Sequence, residues 1–245
     1  MSTLEVDSVR PTASRHRTVN VVRLQFVNTQ TFVWVPLLVL GGAWVITMLA
    51  YWVIQAGGGA DVMVGGGSQA PLWYFLVVGV QAMTMTFPFS QAMSLTRREF
   101  YLGSLAAAAV SSFGMSCAFV LLGLVEQATE GFGMNGYFAY VEWVWEAGAL
   151  AAGLTYFVLA MVFFIVGFWC ATILKRFGTA MLVMVLLGIG LVLVGLVALV
   201  TWQRAWPDVW MRVLDAGSLG LTMWAALVCA LLSLGSYLTL RRMPA

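Results

Sequence analysis

Histidine is nearly missing from this sequence, lysine occurs once, and charge of either sign is scarce. The single histidine, His16, lies in the polar N-terminal stretch. Bis-histidine haem, histidine-based zinc sites and serine–histidine hydrolase chemistry are therefore excluded, since each needs imidazoles at the site. The one lysine, Lys175, is followed by Arg176 and Phe177, so no G-x-x-x-x-G-K-[ST] phosphate loop exists. If ATP drives this protein, another chain binds it. Charged residues make up 9% of the chain and hydrophobic residues 62%, whereas soluble domains are about 25% charged. Cys117, Cys170 and Cys229 all fall inside apolar runs and read as small core or lipid-facing residues rather than disulfides or ligands. No basic patch with interleaved aromatics is present, which excludes nucleic acid as a partner.

What the chain has in abundance is hydrocarbon. Apolar stretches cover about residues 32–54, 71–93, 102–125, 148–174, 179–200 and 219–240. Each is long enough to cross a hydrocarbon core of about 30 Å as helix. None contains Asp, Glu, His, Lys or Arg, residues that cost at least ~2.5–3.5 kcal/mol at a bilayer centre when charged. The sequence predicts an all-α, polytopic membrane protein: residues 1–31 precede a six-helix transmembrane domain over residues 32–245.

Basic residues orient these spans. Arg10, Arg15, Arg17 and Arg23 precede the first span, Arg97 and Arg98 follow the second, Lys175 and Arg176 follow the fourth, and Arg241 and Arg242 close the chain. Only Arg204 and Arg212 fall on the other side, together with seven of the ten acidic residues. The positive-inside bias places both termini in the cytoplasm of a multi-pass inner or plasma membrane protein. Residues 1–17 read as a disordered tail. Val19, Val22, Phe26 and Val27 recur at helical spacing with Asn20 and Arg23 off the stripe, predicting a short amphipathic interface helix over residues 18–31. The alternative for the same residues is an extension of the first span. Outside, residues 56–70 are glycine-rich and predict a flexible loop. Residues 126–147 carry Glu126, Glu130, Glu142 and Glu146 among tyrosines and tryptophans, and predict a loop with a helix lying on the outer surface.

Catalysis inside a membrane needs a nucleophile with a base, paired carboxylates or a metal, and the spans offer none of these. The second span is the exception to the apolar text. Gln81, Thr84, Pro88 and Gln91 are spaced three, four and three residues apart, which on a regular helix places them on one stripe. Two amides and a hydroxyl face either a neighbouring helix, as packing hydrogen bonds, or a path through the protein. The proline frees a carbonyl one turn back and kinks the helix. Thr96-Arg97-Arg98-Glu99-Phe100-Tyr101, between spans two and three, reads as a surface turn. Its basic residues either anchor topology or, with the acid and two aromatics beside them, dock a partner.

The Thr96-Arg97-Arg98-Glu99-Phe100 text with Gly103 after it is similar to the T-R-R-x-F/Y pattern of ABC-2 type ABC transporter permeases. Lys175-Arg176-Phe177-Gly178 resembles the basic R-R-F-G text before span five in that family. The Phe26-Val27-Asn28 segment before a span opening near Pro36, and residues 201–218 between spans five and six, resemble its interface helix and short re-entrant helices. Relatives usually carry a glycine shortly before the threonine, where this chain has Ser94-Leu95. The resemblance implies a type V exporter-like transmembrane domain. It also implies a homodimer, or a heterodimer with a similar partner, and a separate ATPase subunit that holds ATP and Mg²⁺. Thr96, Arg97, Arg98, Glu99, Phe100, Lys175, Arg176 and Phe177 would couple to the ATPase; Val22, Arg23 and Phe26 would form the interface helix. Gln81, Thr84, Pro88 and Gln91 would line the translocation path, and this chain would bind no cofactor. The competing class is a non-transporting membrane protein, an immunity or scaffold subunit.

Overall fold

The structure, a computed structural model, describes residues 30–58, 62–93 and 95–241. Among them are six helices long and apolar enough to cross a membrane. The first is α1 (Val35–Ala56), entered through a π-type turn at Gln30–Trp34 with Pro36 in the helix's first turn, where its missing N–H costs little. The second span is divided: α2 (Ala70–Gln81) and α3 (Phe87–Ala92) flank a π turn at Ala82–Thr86. Then follow α4 (Arg97–Ala128), the short α5 (Glu142–Trp145), α6 (Ala149–Phe177), α7 (Thr179–Trp202) and α8 (Trp206–Arg241). Gly217, at φ 60°, breaks α8 into an outer helical segment and the sixth span.

Lipid tails are as apolar as leucine, so close packing and hydrogen bonds hold such helices together. The fourth span, α6, is the axis: α2, α4 and α8 all pack against it, and Phe164, Phe168 and Ala160 are buried there. Its tightest crossing is with α2. A Cβ at Gly79 would lie 2.1 Å from the Phe164 carbonyl oxygen, and one at Gly167 would lie 2.0 Å from that of Leu76. The two backbones therefore touch, which only glycine at both positions allows. Small residues line the packed face of α4: Ser104, Ala107, Ala108, Ser111 and Ser112 are all buried. Ser111 Oγ donates to the Phe32 carbonyl, and Tyr74 Oη donates to the Thr31 carbonyl at 3.2 Å. Both bonds tie down carbonyls of the π turn that opens the first span. The fifth span, α7, buries no residue at all.

The loops at the end of the bundle away from the basic helix ends are more ordered than the glycine-rich sequence suggests. Residues 56–70 were expected to be flexible, yet Met63–Val64 pairs in parallel with Gly136–Tyr137 of the second outer loop, and Gly66–Gln69 forms a 3₁₀ turn. Tyr51 Oη, from α1, donates to the Tyr137 carbonyl at 3.1 Å. The glycines here serve contact rather than freedom: side chains at Gly65 and Gly136 would run into the Tyr51 ring. The surface helix anticipated in the second loop is α5, one turn long, with Trp145 buried.

Replacing Gly79 or Gly167 with alanine should destabilise the chain by about 1–3 kcal/mol or more, because the methyl has only backbone to displace. Gly114→Ala, with nothing near its Cβ position, should be neutral or stabilise by up to ~1 kcal/mol. Thermal unfolding of the three variants in detergent checks the contrast, and equal effects at Gly79 and Gly114 would contradict the backbone contact.

Candidate functional site at the kinked second span

The two basic sequences expected to be surface turns are helix ends. α3 ends at Ala92 and Arg97 opens α4. Thr96 is the N-cap: its Oγ1 accepts from the Glu99 N–H at 3.2 Å, and the Glu99 carboxylate accepts from the Thr96 N–H at 3.0 Å. This reciprocal capping box satisfies donors that a helix N-terminus leaves open. The T-x-x-E spacing that announces it was legible in the sequence. Glu99 thus has a structural role at the helix start, where its charge also suits the helix dipole.

The expectation that the aromatics beside it lie on the surface is corrected by their burial. Phe100 has no exposure and Tyr101 is 4% exposed. Helical periodicity is the reason: once the helix begins at Arg97, positions 100 and 101 turn inward while Arg98 stays exposed. Phe100 stands edge-on to Phe87 of α3 at 5.2 Å between ring centroids and lies 6.2 Å from Phe168 of α6. Tyr101 Oη donates to the Ser233 carbonyl of α8 at 2.6 Å.

At the second basic sequence, α6 runs through Phe177 and ends at Gly178. Lys175 and Arg176 therefore occupy its last turn, where cations complement the helix dipole. Consecutive residues on a helix point in different directions, and these two reach different neighbours. Arg176 Nη1 donates to the Thr239 carbonyl near the end of α8 at 3.2 Å, with its guanidinium 4.6 Å from the Phe177 ring centroid. Lys175 Nζ donates to the Thr84 carbonyl, also at 3.2 Å, and stands 5.8 Å from the centroid of the Phe87 ring.

Thr84 lies within the π turn that interrupts the second span. There the Phe87 N–H bonds the Ala82 carbonyl, five residues back instead of four. Thr84 Oγ1 donates to the Val80 carbonyl at 2.9 Å, a back-bond that itself bends helices. The extra residue in the turn also breaks the stripe read from a regular helical repeat. Gln81 and Thr84 are half-buried against the bundle, whereas Pro88 and Gln91 are exposed. The four residues do not share one face. Val22, Arg23 and Phe26 lie outside the described residues.

The arrangement therefore joins three features that are far apart in sequence. The start of α4, the end of α6 and the π turn of the second span meet near Phe87, which contacts both the Phe100 ring and the Lys175 ammonium. Edge-to-face ring pairs and cation–ring contacts are each directional, so a shift of either helix end is felt at the kink.

One buried group had been read as an ordinary loop acid. Glu126 sits in the last turn of α4 with no exposure. Its Oε2 accepts from the backbone N–H groups of Phe138, Ala139 and Tyr140 at 3.1, 2.8 and 2.8 Å. The Ala139 carbonyl in turn accepts from Trp145 Nε1 at 3.2 Å and from Tyr156 Oη at 2.6 Å. A single carboxylate thus orders the second outer loop at the end of the bundle opposite the kink. No sequence signal separates it from Glu130, because its partners are backbone groups.

Comparisons with protein-family models, with curated proteins and with solved structures find no match to this chain.

Glu126→Ala strands the three N–H donors and should cost about 3 kcal/mol or more, at ~1–3 kcal/mol for each buried unsatisfied group. Glu126→Gln keeps an acceptor and should cost less. Limited proteolysis of the loop at residues 129–141, alongside thermal unfolding, reads the difference. An alanine variant as resistant as wild type would show that the carboxylate does not order the loop.

Proposed function

We propose that this chain is the membrane-spanning permease subunit of an ATP-driven exporter of the ABC-2 type, working with a separate ATPase subunit that holds ATP and Mg²⁺. The observation that carries the proposal is the meeting of both basic helix ends at the kink of the second span. In a permease, force applied at the cytoplasmic face must reach the path through the bilayer. Here Phe100, one turn into the helix that begins with Arg97-Arg98, packs on Phe87 at the kink, and the polar residues Gln81 and Thr84 lie at and beside the π turn.

In this mechanism two permease copies, identical or similar, form the membrane core. Closure of the ATPase subunits presses on Thr96, Arg97, Arg98 and the interface helix around Val22, Arg23 and Phe26. Phe100 carries the movement inward, and Lys175, Arg176 and Phe177 carry it from the end of α6. The π turn changes its bend, and spans one, two and five tilt to open Gln81 and Thr84 to one side or the other. The apolar fifth span favours an amphiphilic or lipid-like cargo. Alternating access of this kind is a two-state change whose sites bias one equilibrium.

The test is co-expression with any P-loop ATPase that a neighbouring gene encodes, purification in detergent, and comparison of ATP hydrolysis between wild type and the Arg97→Ala/Arg98→Ala variant. A co-purifying complex whose hydrolysis is uncoupled, or that dissociates, in the double variant supports the permease. Failure of any ATPase to co-purify with wild type would favour a scaffold or immunity subunit instead.

A further inference from the structure

Proline at position 88 removes the N–H that a regular helix would offer to the carbonyl four residues earlier, that of Thr84. Such a carbonyl needs another donor when no water reaches it. Ser and Thr hydroxyls often serve, but Thr84 Oγ1 is already committed to the Val80 carbonyl. The donor that does reach Thr84 is Lys175 Nζ, at 3.2 Å. Lys175 is the sole lysine of the chain, and its neighbour Arg176 is turned to α8. Lysine suits this position: a flexible four-carbon stem lets the ammonium reach along an apolar wall, and the Phe87 ring at 5.8 Å adds a cation–ring contact.

We infer that Lys175 is a positioning residue that stands in for the N–H Pro88 lacks, so that the end of the fourth span holds the bend of the second. With the ammonium on the Thr84 carbonyl, the π turn at Ala82–Thr86 is held. With it withdrawn, the carbonyl loses that donor and the turn is free to re-form in a different bend. The role assigned to Lys175 is inward, toward the kink, rather than outward toward a docking partner. Its use in transport rests on the permease proposal above; the coupling to Pro88 does not.

A double-mutant cycle on the full chain in lipid nanodiscs tests the inference, read by hydrogen–deuterium exchange of the amides in residues 82–91. Lys175→Met should raise their exchange several-fold, and Lys175→Arg, which keeps a cationic donor, should restore it. In a Pro88→Ala background the backbone N–H is present again, so Lys175→Met should add nothing. An equal effect of Lys175→Met in both backgrounds, or no effect in the wild-type background, overturns the inference. If Lys175→Met does not fold, Lys175→Leu in the two backgrounds gives the same comparison with the donor again removed. ATP hydrolysis of the complex is measured separately. A cycle that couples while hydrolysis ignores Lys175 leaves the residue's role standing and counts against the permease.

Discussion

A backbone carbonyl or N–H that leaves its helix within hydrocarbon finds no water, and the protein must supply the missing partner. Much of this structure follows from that constraint. Where the first span opens through a π turn, Ser111 and Tyr74 bond the carbonyls of Phe32 and Thr31. Where the second span breaks, Lys175 bonds the carbonyl of Thr84. Where the sixth span nears its end, Arg176 bonds that of Thr239. At the other end of the bundle Glu126 gathers three loop N–H groups. Several places where the backbone leaves or ends a helix are thus answered by side chains from another span, and the same bonds tie the spans together.

Those bonds also decide which parts of the bundle move together. The fourth span meets the second in two distinct ways. At Gly79 and Gly167 the backbones touch, a contact that tolerates no sliding. Near the basic end a long side chain reaches the Thr84 carbonyl, backed by a ring, and the π turn itself also packs on α6. The π turn, at Ala82–Thr86, begins three residues past Gly79 and contains the carbonyl that Lys175 bonds. The loop end, by contrast, is sewn by the paired strands, Tyr51 and Glu126.

Local text and helical period account for what was legible beforehand. Six long apolar runs free of charge led directly to six helices able to cross a membrane, and Pro36 fell in a first turn because proline is tolerated there. The second span was expected to be disturbed by Pro88, and the irregularity found there is a π turn at Ala82–Thr86. The stripe through Gln81, Thr84, Pro88 and Gln91 was not sound, since it presumed an unbroken helical period that the π turn interrupts. Phe100 and Tyr101 were placed on the surface because charged neighbours were taken to mark a turn. In fact the helix starts at Arg97, and its second face is inward.

The sequence by itself determined the class of this protein and the number of helices able to cross a membrane. These depend on transfer of side chains to hydrocarbon and on hydrogen bonds between near neighbours, both properties of short stretches of chain. Only the tertiary structure decided that Lys175 answers Pro88, that Glu126 orders a loop, and that Gly79 and Gly167 face carbonyls. Each of these pairs a side chain, or the lack of one, with backbone of another span, and backbone groups are the same at every residue. No pattern of letters marks the recipient, so the partnership exists only once the helices have packed.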